Sequence, residues 1–541
     1  MTSPLSPETR EATLAALPTA DLDLLVIGGG ITGAGIARDA ALRGLATALV
    51  ERVDFAAGTS SRSSKLIHGG VRYLQQGDVG LVREAAAERQ KVRAIAPHLT
   101  EPLRMVMPTY SRGMHAKLGV GLWTFEKLTT VPADERYATW GRDEALRREP
   151  CLRPDALHGA VTFTEYLTDD ARLVLANVQG AHAAGATCVN HTRVSTLSRT
   201  GTTTTATLVD TLGGATCTVR ARVVVNAAGP WVEEVLGLAG ARATRRLHLT
   251  KGVHLVVPHA RLPLAHIVVM QARDKRSVFA VPRDGCTYLG TTDTDYGAAV
   301  LYPEVTRDDL VYLLDAANRT FTGAPLVRAD VVTAWAGLRP LLHEEGKSPS
   351  EISRKDEIMI DEAHGLVSIA GGKLTTYRRM AERVVDRLSR LLGRTDTPGR
   401  TDAVPLPGGE RPPAAVLPSA AALAARLPAG GAARLVRLYG AACERLAARV
   451  AAEPALGEPV AGLPGVLRVE VAHAVDEEMA LTLTDVLERR TRALLFDPTQ
   501  GVDGVDAVAG MLAARFGWSA ARTADEVAAY RSLADNLRSF P

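Results

Sequence analysis

The chain has 541 residues, long enough for two to four domains, and its 46% hydrophobic and 23% charged residues are ordinary for a globular protein. A formal net charge of +3 without a basic tail excludes nucleic acid as an expected partner. No apolar run approaches the roughly 18 residues of a membrane span, and the five scattered cysteines form no C-x-x-C pair that would suggest structural zinc or a disulfide framework.

Those cysteines fit a reducing compartment, and the N-terminus lacks the basic-then-apolar order of a secretory signal. The expectation is a cytoplasmic protein, with peripheral contact at the cytoplasmic membrane left open.

Residues 1–20 read as a short leader. An apolar run at 22–27, short enough for a buried strand, then meets Gly28, Gly30 and Gly33 in G-x-G-x-x-G spacing. In such a motif the first glycine makes the tight turn, the second lets a pyrophosphate approach the backbone, and the third lets helix and strand pack closely. An Ala-rich segment of helical period follows and stops at Gly44, and a second strand at 46–50 ends on Glu51 and Arg52. The helix N-terminus favours the phosphates, and Glu51 is spaced to bond a ribose hydroxyl. An acid there selects an unphosphorylated ribose, so NAD or FAD, which the motif does not separate.

The loop at 59–73, TSSRSSKLIHGGVRY, is the second signal. Ser60, Ser61, Ser63 and Ser64 suit a phosphate or ribityl chain, and Gly69–Gly70 would let a flat ring approach the backbone. Lys65 and His68 are isolated titratable groups in the same stretch. A helix is expected over 79–95, stopped by Pro97, then scattered aromatics and turn residues to 150, another helix over 169–185, and alternating strands over 187–210. The run at 222–226 leads into AAGPW, which holds Ala228 and Gly229. Strand-like segments dominate 247–294. There His254 alternates with apolar residues, so a core-facing histidine and a site residue are both open readings.

Residues 365–392 repeat the strand–glycine–helix order, and Gly371, Gly372 and Lys373 offer backbone donors and a cation before a helix. Arg72, Arg339 and Arg354 lie in motifs otherwise apolar or turn-like, where converging guanidiniums would bind a phosphate bidentately. A linker is expected at 405–414. Beyond it Leu435, Leu438, Ala442 and Leu446 share one helical face, as do Leu467, Val471, Ala474 and Val475, which plain core packing explains.

The set GGGITGAG, GTSSRSSKLIHGGVRYLQ, NAAGPW, GTTDTD, AGLRPL, SRKDEI and AGGKLTTYR resembles the FAD-dependent glycerol-3-phosphate dehydrogenases of the aerobic and anaerobic respiratory type, and their oxidase cousins. The resemblance runs from Asp21 to Arg378 and continues into VLERRTRALLF at 486–496. It implies an α/β Rossmann-like FAD-binding domain of the glycine-oxidase type, built from segments 21–100, 161–246 and 346–400. A β-rich substrate domain, 101–160 and 247–345, would be inserted, and an α-helical domain, 408–541, would close the chain.

It also implies a cofactor site. The ADP half of FAD would lie on Gly28, Gly30, Gly33, Glu51 and Arg52. The ring would meet Ser60, Ser61, Ser63, Ser64, Lys65 and His68, then Ala228 and Gly229, then Gly371, Gly372, Lys373, Leu374 and Thr375. Arg72, Tyr73, His254, Arg339, Arg354 and Lys373 would hold glycerol 3-phosphate, and His68, Lys373 and Arg339 would share the chemistry, His68 first as the base. The implied reaction yields dihydroxyacetone phosphate, with electrons passing to a quinone or, in an oxidase, to oxygen as hydrogen peroxide. A homodimer is an open expectation.

Overall fold

The computed structural model describes residues 3–70, 78–242, 245–343 and 356–540. Its first sheet has eight strands. Five of them are parallel neighbours, in the order Leu366–Ala370, Thr216–Asn226, Asp21–Ile27, Thr47–Val50 and Thr187–Val189. Residues 22–27 are all buried, which is why this strand reads as a near-continuous apolar run, broken only by the buried Asp23, rather than an alternating one. One face is covered by the helices Ile31–Leu42, Asp170–Ala183 and Tyr377–Leu391, whose Ala34, Ala37, Val174, Val178, Val384 and Val385 form one core with Leu24 and Val26.

The second sheet has ten strands, nearly all antiparallel. Leu247–Pro258 lies between Thr333–Leu342 and Cys286–Gly290, and the sheet continues through Ser277–Arg283, Ile267–Gln271 and Glu101–Thr109 to Gly159–Leu167. The helix Arg307–Thr320 covers its Leu255, Val268 and Ala280.

Three expectations need correction. The boundary at 160/161 cuts a strand: Gly159–Leu167 pairs with Glu101–Thr109 from Glu101 opposite Leu167 to Thr109 opposite Gly159. Residues 161–167 therefore belong to the second sheet, and Leu66–Ile67 of the loop at 59–73 pairs with the same strand. Residues 1–20 are no mere leader. Ser6 caps a helix, Pro7–Ala16, through the Thr9 N–H, and buried Arg10 bonds the Asn190 carbonyl at 3.1 Å and Asp210 at 2.8 Å. Too few apolar residues in that helix gave it a period to read. The expected linker is also tied down: the Leu406 N–H donates to the Ile95 carbonyl, Leu406 is fully buried, and a helix begins at Pro413.

The helical domain packs two cores. One holds Leu435, Leu438, Ala442 and Leu446, but from two helices, Gly431–Tyr439 and Cys443–Ala452, and the break at Gly440–Ala442 between them, rather than from one face. The other holds Val471, Ala474 and Val475, while Leu467, expected with them, precedes their helix and packs in the first core. A π-helical turn, Asp485–Arg490, carries DVLERR against the first domain, wholly buried. Arg490 bonds both oxygens of Asp54 at 2.6 and 2.9 Å, and Arg489 reaches Asp54 and Asp485 at 2.6 Å each. Asp485 also meets His191 Nε2 at 2.9 Å. Asp54, His191 and Asp485 are near enough to share a metal ion, but the two guanidiniums already supply the positive charge there.

Removing one partner from such a network leaves buried charge uncompensated. Asp54→Ala is expected to cost roughly 3–5 kcal/mol of stability, read by urea unfolding. Arg531→Ala, which loses only the exposed pair with Asp506, is expected to stay within about 1 kcal/mol. Equal losses would deny the network its structural role.

Candidate functional site

A cavity of about 680 Å³ runs from the first sheet's glycine turn to the wall of the second sheet, in the size range of small-molecule sites. Each glycine of G-x-G-x-x-G meets a different constraint. Gly28 has φ +111°, where side chains are strained, and a Cβ on it would lie 2.6 Å from the Ala227 carbonyl oxygen. A Cβ on Gly33 would lie 1.9 Å from the Gly28 oxygen, so helix and turn pack backbone to backbone. At Gly30 the nearest atom is Ser60 Oγ at 3.2 Å. That opening faces the cavity at the start of the helix Ile31–Leu42.

Glu51 lines the cavity, with Oε2 accepting the Gly29 N–H at 2.7 Å and Oε1 the Val53 N–H at 2.9 Å. Burial pushes its pKa up against those two bonds. Arg52 lies over the Trp231 ring at 4.5 Å and pairs with Glu234 at 3.1 Å. Ala228 and Gly229 form the adjoining edge.

In the Ser/Gly loop, Ser60, Ser63 and Ser64 line the cavity. Ser60 Oγ accepts the Ile31 N–H at 3.0 Å, Ser63 Oγ donates to Asp170 at 2.7 Å, and Ser64 Oγ meets His254 Nε2 at 2.9 Å. Ser61 and Lys65, both expected on the cofactor, are turned away from the cavity instead. Lys65 is 0% exposed, with Nζ bonded to the Ser61 carbonyl at 2.8 Å and to Asp170 at 2.9 Å. Desolvation and then Arg492 bring its pKa down to about 7 against the pull of Asp170. The loop needs an internal anchor for its buried carbonyls, and these two residues supply it.

His68 lines the cavity and donates its backbone N–H to Thr375 Oγ1 at 3.0 Å. The second glycine turn brings Gly371 (φ +78°), Gly372 (φ +87°), Lys373, Leu374 and Thr375 to the same wall. Arg72, Tyr73 and Arg354 lie outside the described residues.

His254 is buried, stacked on Trp335 with centroids 4.8 Å apart, and also lines the cavity. Burial, then Arg339 and Lys65, press its pKa well below 6.5, so the ring is neutral. Arg339 projects from the strand Thr333–Leu342, with Nη1 on Asp293 at 3.1 Å and Nη2 on Thr291 Oγ1 at 3.0 Å. Gly252 makes room, since a Cβ there would fall 2.2 Å from Arg339 Nη2. Sequence reasoning passed over Thr291, Asp293 and Gly252 as site residues because their role is to orient an arginine from neighbouring strands. It also missed Glu165, whose one available signal was an acid within the buried strand GAVTFTEYL.

The pattern of the FAD dependent oxidoreductase family matches residues 23–378, and that of the C-terminal domain of alpha-glycerophosphate oxidase matches 399–523. The aerobic glycerol-3-phosphate dehydrogenase of Bacillus subtilis (strain 168) is 40% identical over 524 residues, 94% of each chain. The chain belongs to the FAD-dependent glycerol-3-phosphate dehydrogenase family. The solved glycerol-3-phosphate dehydrogenase of Bacillus halodurans, complexed with FAD, superposes with a TM-score of 0.83 at 35% identity over 99% of both chains. Glycine oxidase from Geobacillus kaustophilus shares the fold over 68% of this chain and 95% of its own, with a TM-score of 0.53 at 22% identity.

The cavity of this family member fits FAD on its own evidence. The opening at Gly30 lies at a helix N-terminus, a half-buried acid, Glu51, stands at the end of the next strand, and two further glycines of positive φ stand at the far wall. Gly30→Val is expected to abolish flavin binding while leaving the fold, because the side chain enters open cavity. Gly33→Ala is expected to disrupt the turn itself. Flavin absorbance per chain and circular dichroism separate the two, and a folded, fully yellow Gly30→Val protein would contradict the assignment.

Proposed function

We propose that the chain oxidises sn-glycerol 3-phosphate to dihydroxyacetone phosphate on bound FAD and passes the electrons to a membrane quinone. The observation that carries the reading is Arg339, a guanidinium on the cavity wall braced by Asp293 and Thr291, in a cavity that Lys373 also lines. Fixed donors of this kind suit a phosphate or a developing negative charge. When bound, FAD supplies the acceptor for the hydride leaving the substrate's C2.

The chain's residues have the remaining work. Gly28, Gly30, Gly33 and Glu51 would take the ADP half, with Arg52 beside them. Ser60, Ser63, Ser64, Ala228, Gly229 and the turn 371–375 would enclose the rest. Arg339 and Lys373 would orient the phosphate and polarise the C2 oxygen, with Arg72, Tyr73 and Arg354 completing the set implied by the family motifs. The hydroxyl proton needs an acceptor. His254 is a poor one, because burial and two nearby cations oppose its charging. His68, in the same cavity, is the base in this reading.

Membrane contact has support of its own. The helix Arg112–Leu128 buries Leu122 and Phe125 but leaves Val120 63% and Trp123 51% exposed, with Lys117 and Lys127 also outward. An apolar ridge flanked by lysines suits an interfacial helix, and no helix of the described residues is long and apolar enough to cross a membrane. The match of residues 399–523 to an oxidase domain favours a second reading, in which oxygen accepts the electrons. Anaerobic mixing with glycerol 3-phosphate tests the first step by bleaching of the flavin. A quinone analogue and oxygen added separately then identify the acceptor, and stoichiometric hydrogen peroxide would select the oxidase.

Arg339→Ala is expected to cost roughly 2–5 kcal/mol in kcat/KM for glycerol 3-phosphate, with far less effect on any slow reaction with glycerol. Arg339→Lys should rescue poorly, since a point charge cannot match a fork. Equal losses on both substrates would assign Arg339 a structural role. His68→Gln should keep FAD yet slow flavin reduction by roughly 10²–10⁴-fold. A wild-type rate with an unchanged pH profile would remove His68 from the mechanism.

A further inference from the structure

One acid on the cavity wall has no part in the scheme above. Glu165 lies on the strand Gly159–Leu167, buried and facing the cavity. Its two oxygens accept the Gly69 N–H at 3.0 and 2.9 Å, one residue after His68. Its ion pair with Arg89 Nη1 is long, at 3.6 Å, and Arg89 is also bonded to Glu135 at 2.8 Å. A carboxylate so thinly compensated is costly to keep in the interior. An amide would hold the Gly69 N–H without that cost, so the charge itself calls for a use.

We propose that Glu165 is a positioning residue for the proton transfer. Its carboxylate fixes the His68–Gly70 turn and stabilises the imidazolium that His68 becomes. This rests on the reading of His68 as the base. In the balanced step, the C2 hydride passes to the flavin, which is reduced, and the C2 hydroxyl proton passes to the imidazole, leaving the ketone. Glu165 takes neither. It acts through the Gly69 N–H, one residue from His68, holding the turn that carries the ring and offsetting its new charge without accepting the proton.

The turn is built for this. Successive N–H groups are held from two sides, His68 by Thr375 and Gly69 by Glu165. A Cβ on Gly69 would lie 3.1 Å from both Arg89 Nη1 and Phe125 Cζ, so only glycine lets that amide sit on the carboxylate without displacing its neighbours. The charges around Glu165 come from each packed element: Arg89 on the helix Val79–Ile95, Lys373 on the second glycine turn, and Glu135 on the turn Ala133–Glu135. Burial dominates and raises the acid's pKa to about 7, with Arg89 and the Gly69 N–H pulling it back, Glu135 pushing it further and Lys373 opposing. The supporting charge is therefore present above neutral pH and lost below it.

The test is stopped-flow flavin reduction by glycerol 3-phosphate across pH in wild type, Glu165→Gln, Glu165→Asp and His68→Gln. The amide of Glu165→Gln still accepts the Gly69 N–H, so FAD content should be unchanged and KM within about threefold. The reduction rate should fall roughly 10- to 100-fold, as when a carboxylate that orients a functional histidine is lost. The midpoint of its pH profile should move down, because His68 loses a neighbouring negative charge. Glu165→Asp, which keeps the charge, should retain the wild-type profile and recover much of the rate. If Glu165→Gln keeps the wild-type rate and profile while His68→Gln is slow, the inference fails and the reading of His68 stands. If His68→Gln is also fast, that reading fails instead. If Glu165→Gln does not hold FAD, Glu165→Asp decides: loss of FAD there too would make Glu165 structural and overturn the proposal, whereas FAD retained with the wild-type profile and most of the rate supports it.

Discussion

The charges buried beneath the flavin-side loop are what the rest of the molecule depends on. Asp170 accepts from the Ser63 amide and hydroxyl, from Lys65 and from Arg492. Arg492 also donates to the Ser61 carbonyl and pairs with Asp169, which Arg283 of the second sheet reaches at 2.9 Å. Arg62, in the same loop, pairs with Glu488 at 2.9 Å and stacks on Tyr302, whose hydroxyl bonds Glu488 in turn. One loop is thus held at once by the first sheet's helix, the second sheet and the helical domain. Taking so many charges out of water is costly, and the network is stable only with every member present. That requirement makes the three parts of the chain mutually dependent.

The helical domain acquires a definite role from this. Its π-helical turn and Arg492 reach under the residues that face the cavity, and Asp485 is held well below the ordinary carboxylate range by His191, Arg489 and Arg490 against its burial. His191 is correspondingly raised, with Asp485 outweighing desolvation. A wider turn of helix is a common device where side chains must be redirected. Here it turns Glu488 and Arg489–Arg490 toward the same junction from consecutive positions.

The cavity applies the same economy to fewer groups. Arg339 and Lys373 bring cations to its wall from two elements, and the two histidines that line it are set apart by their surroundings. His254 is packed between Trp335 and Ser64 and kept neutral, whereas His68 sits on a turn backed by an acid. For His254 that setting comes from burial and from two neighbouring cations rather than from the residue type.

The sequence by itself determined the glycine turn and what surrounds it. Gly28, Gly30, Gly33 and Glu51 are legible because the spacing of a strand–turn–helix is local, although the Ala227 carbonyl that crowds Gly28 comes from far along the chain. The second turn at 371–375 was legible for the same reason, whereas in the helical domain periodicity found apolar residues but not the break at Gly440 that divides the first stripe between two helices. Tertiary structure alone decided the rest. Ser61 and Lys65 share composition with Ser60 and Ser64, but only the fold sets Asp170 and Arg492 beneath them and turns them from the cavity. The first helix was hidden by its polar composition, since Arg10 is buried by partners near residues 190 and 210 rather than by its own pattern. Glu165 reads as one acid in a strand until register places it against Gly69. Local periodicity records which face a residue takes within its own element. What lies opposite that face depends on strands and helices brought together from far along the chain, and that decided which of the polar residues serve the cavity and which serve the fold.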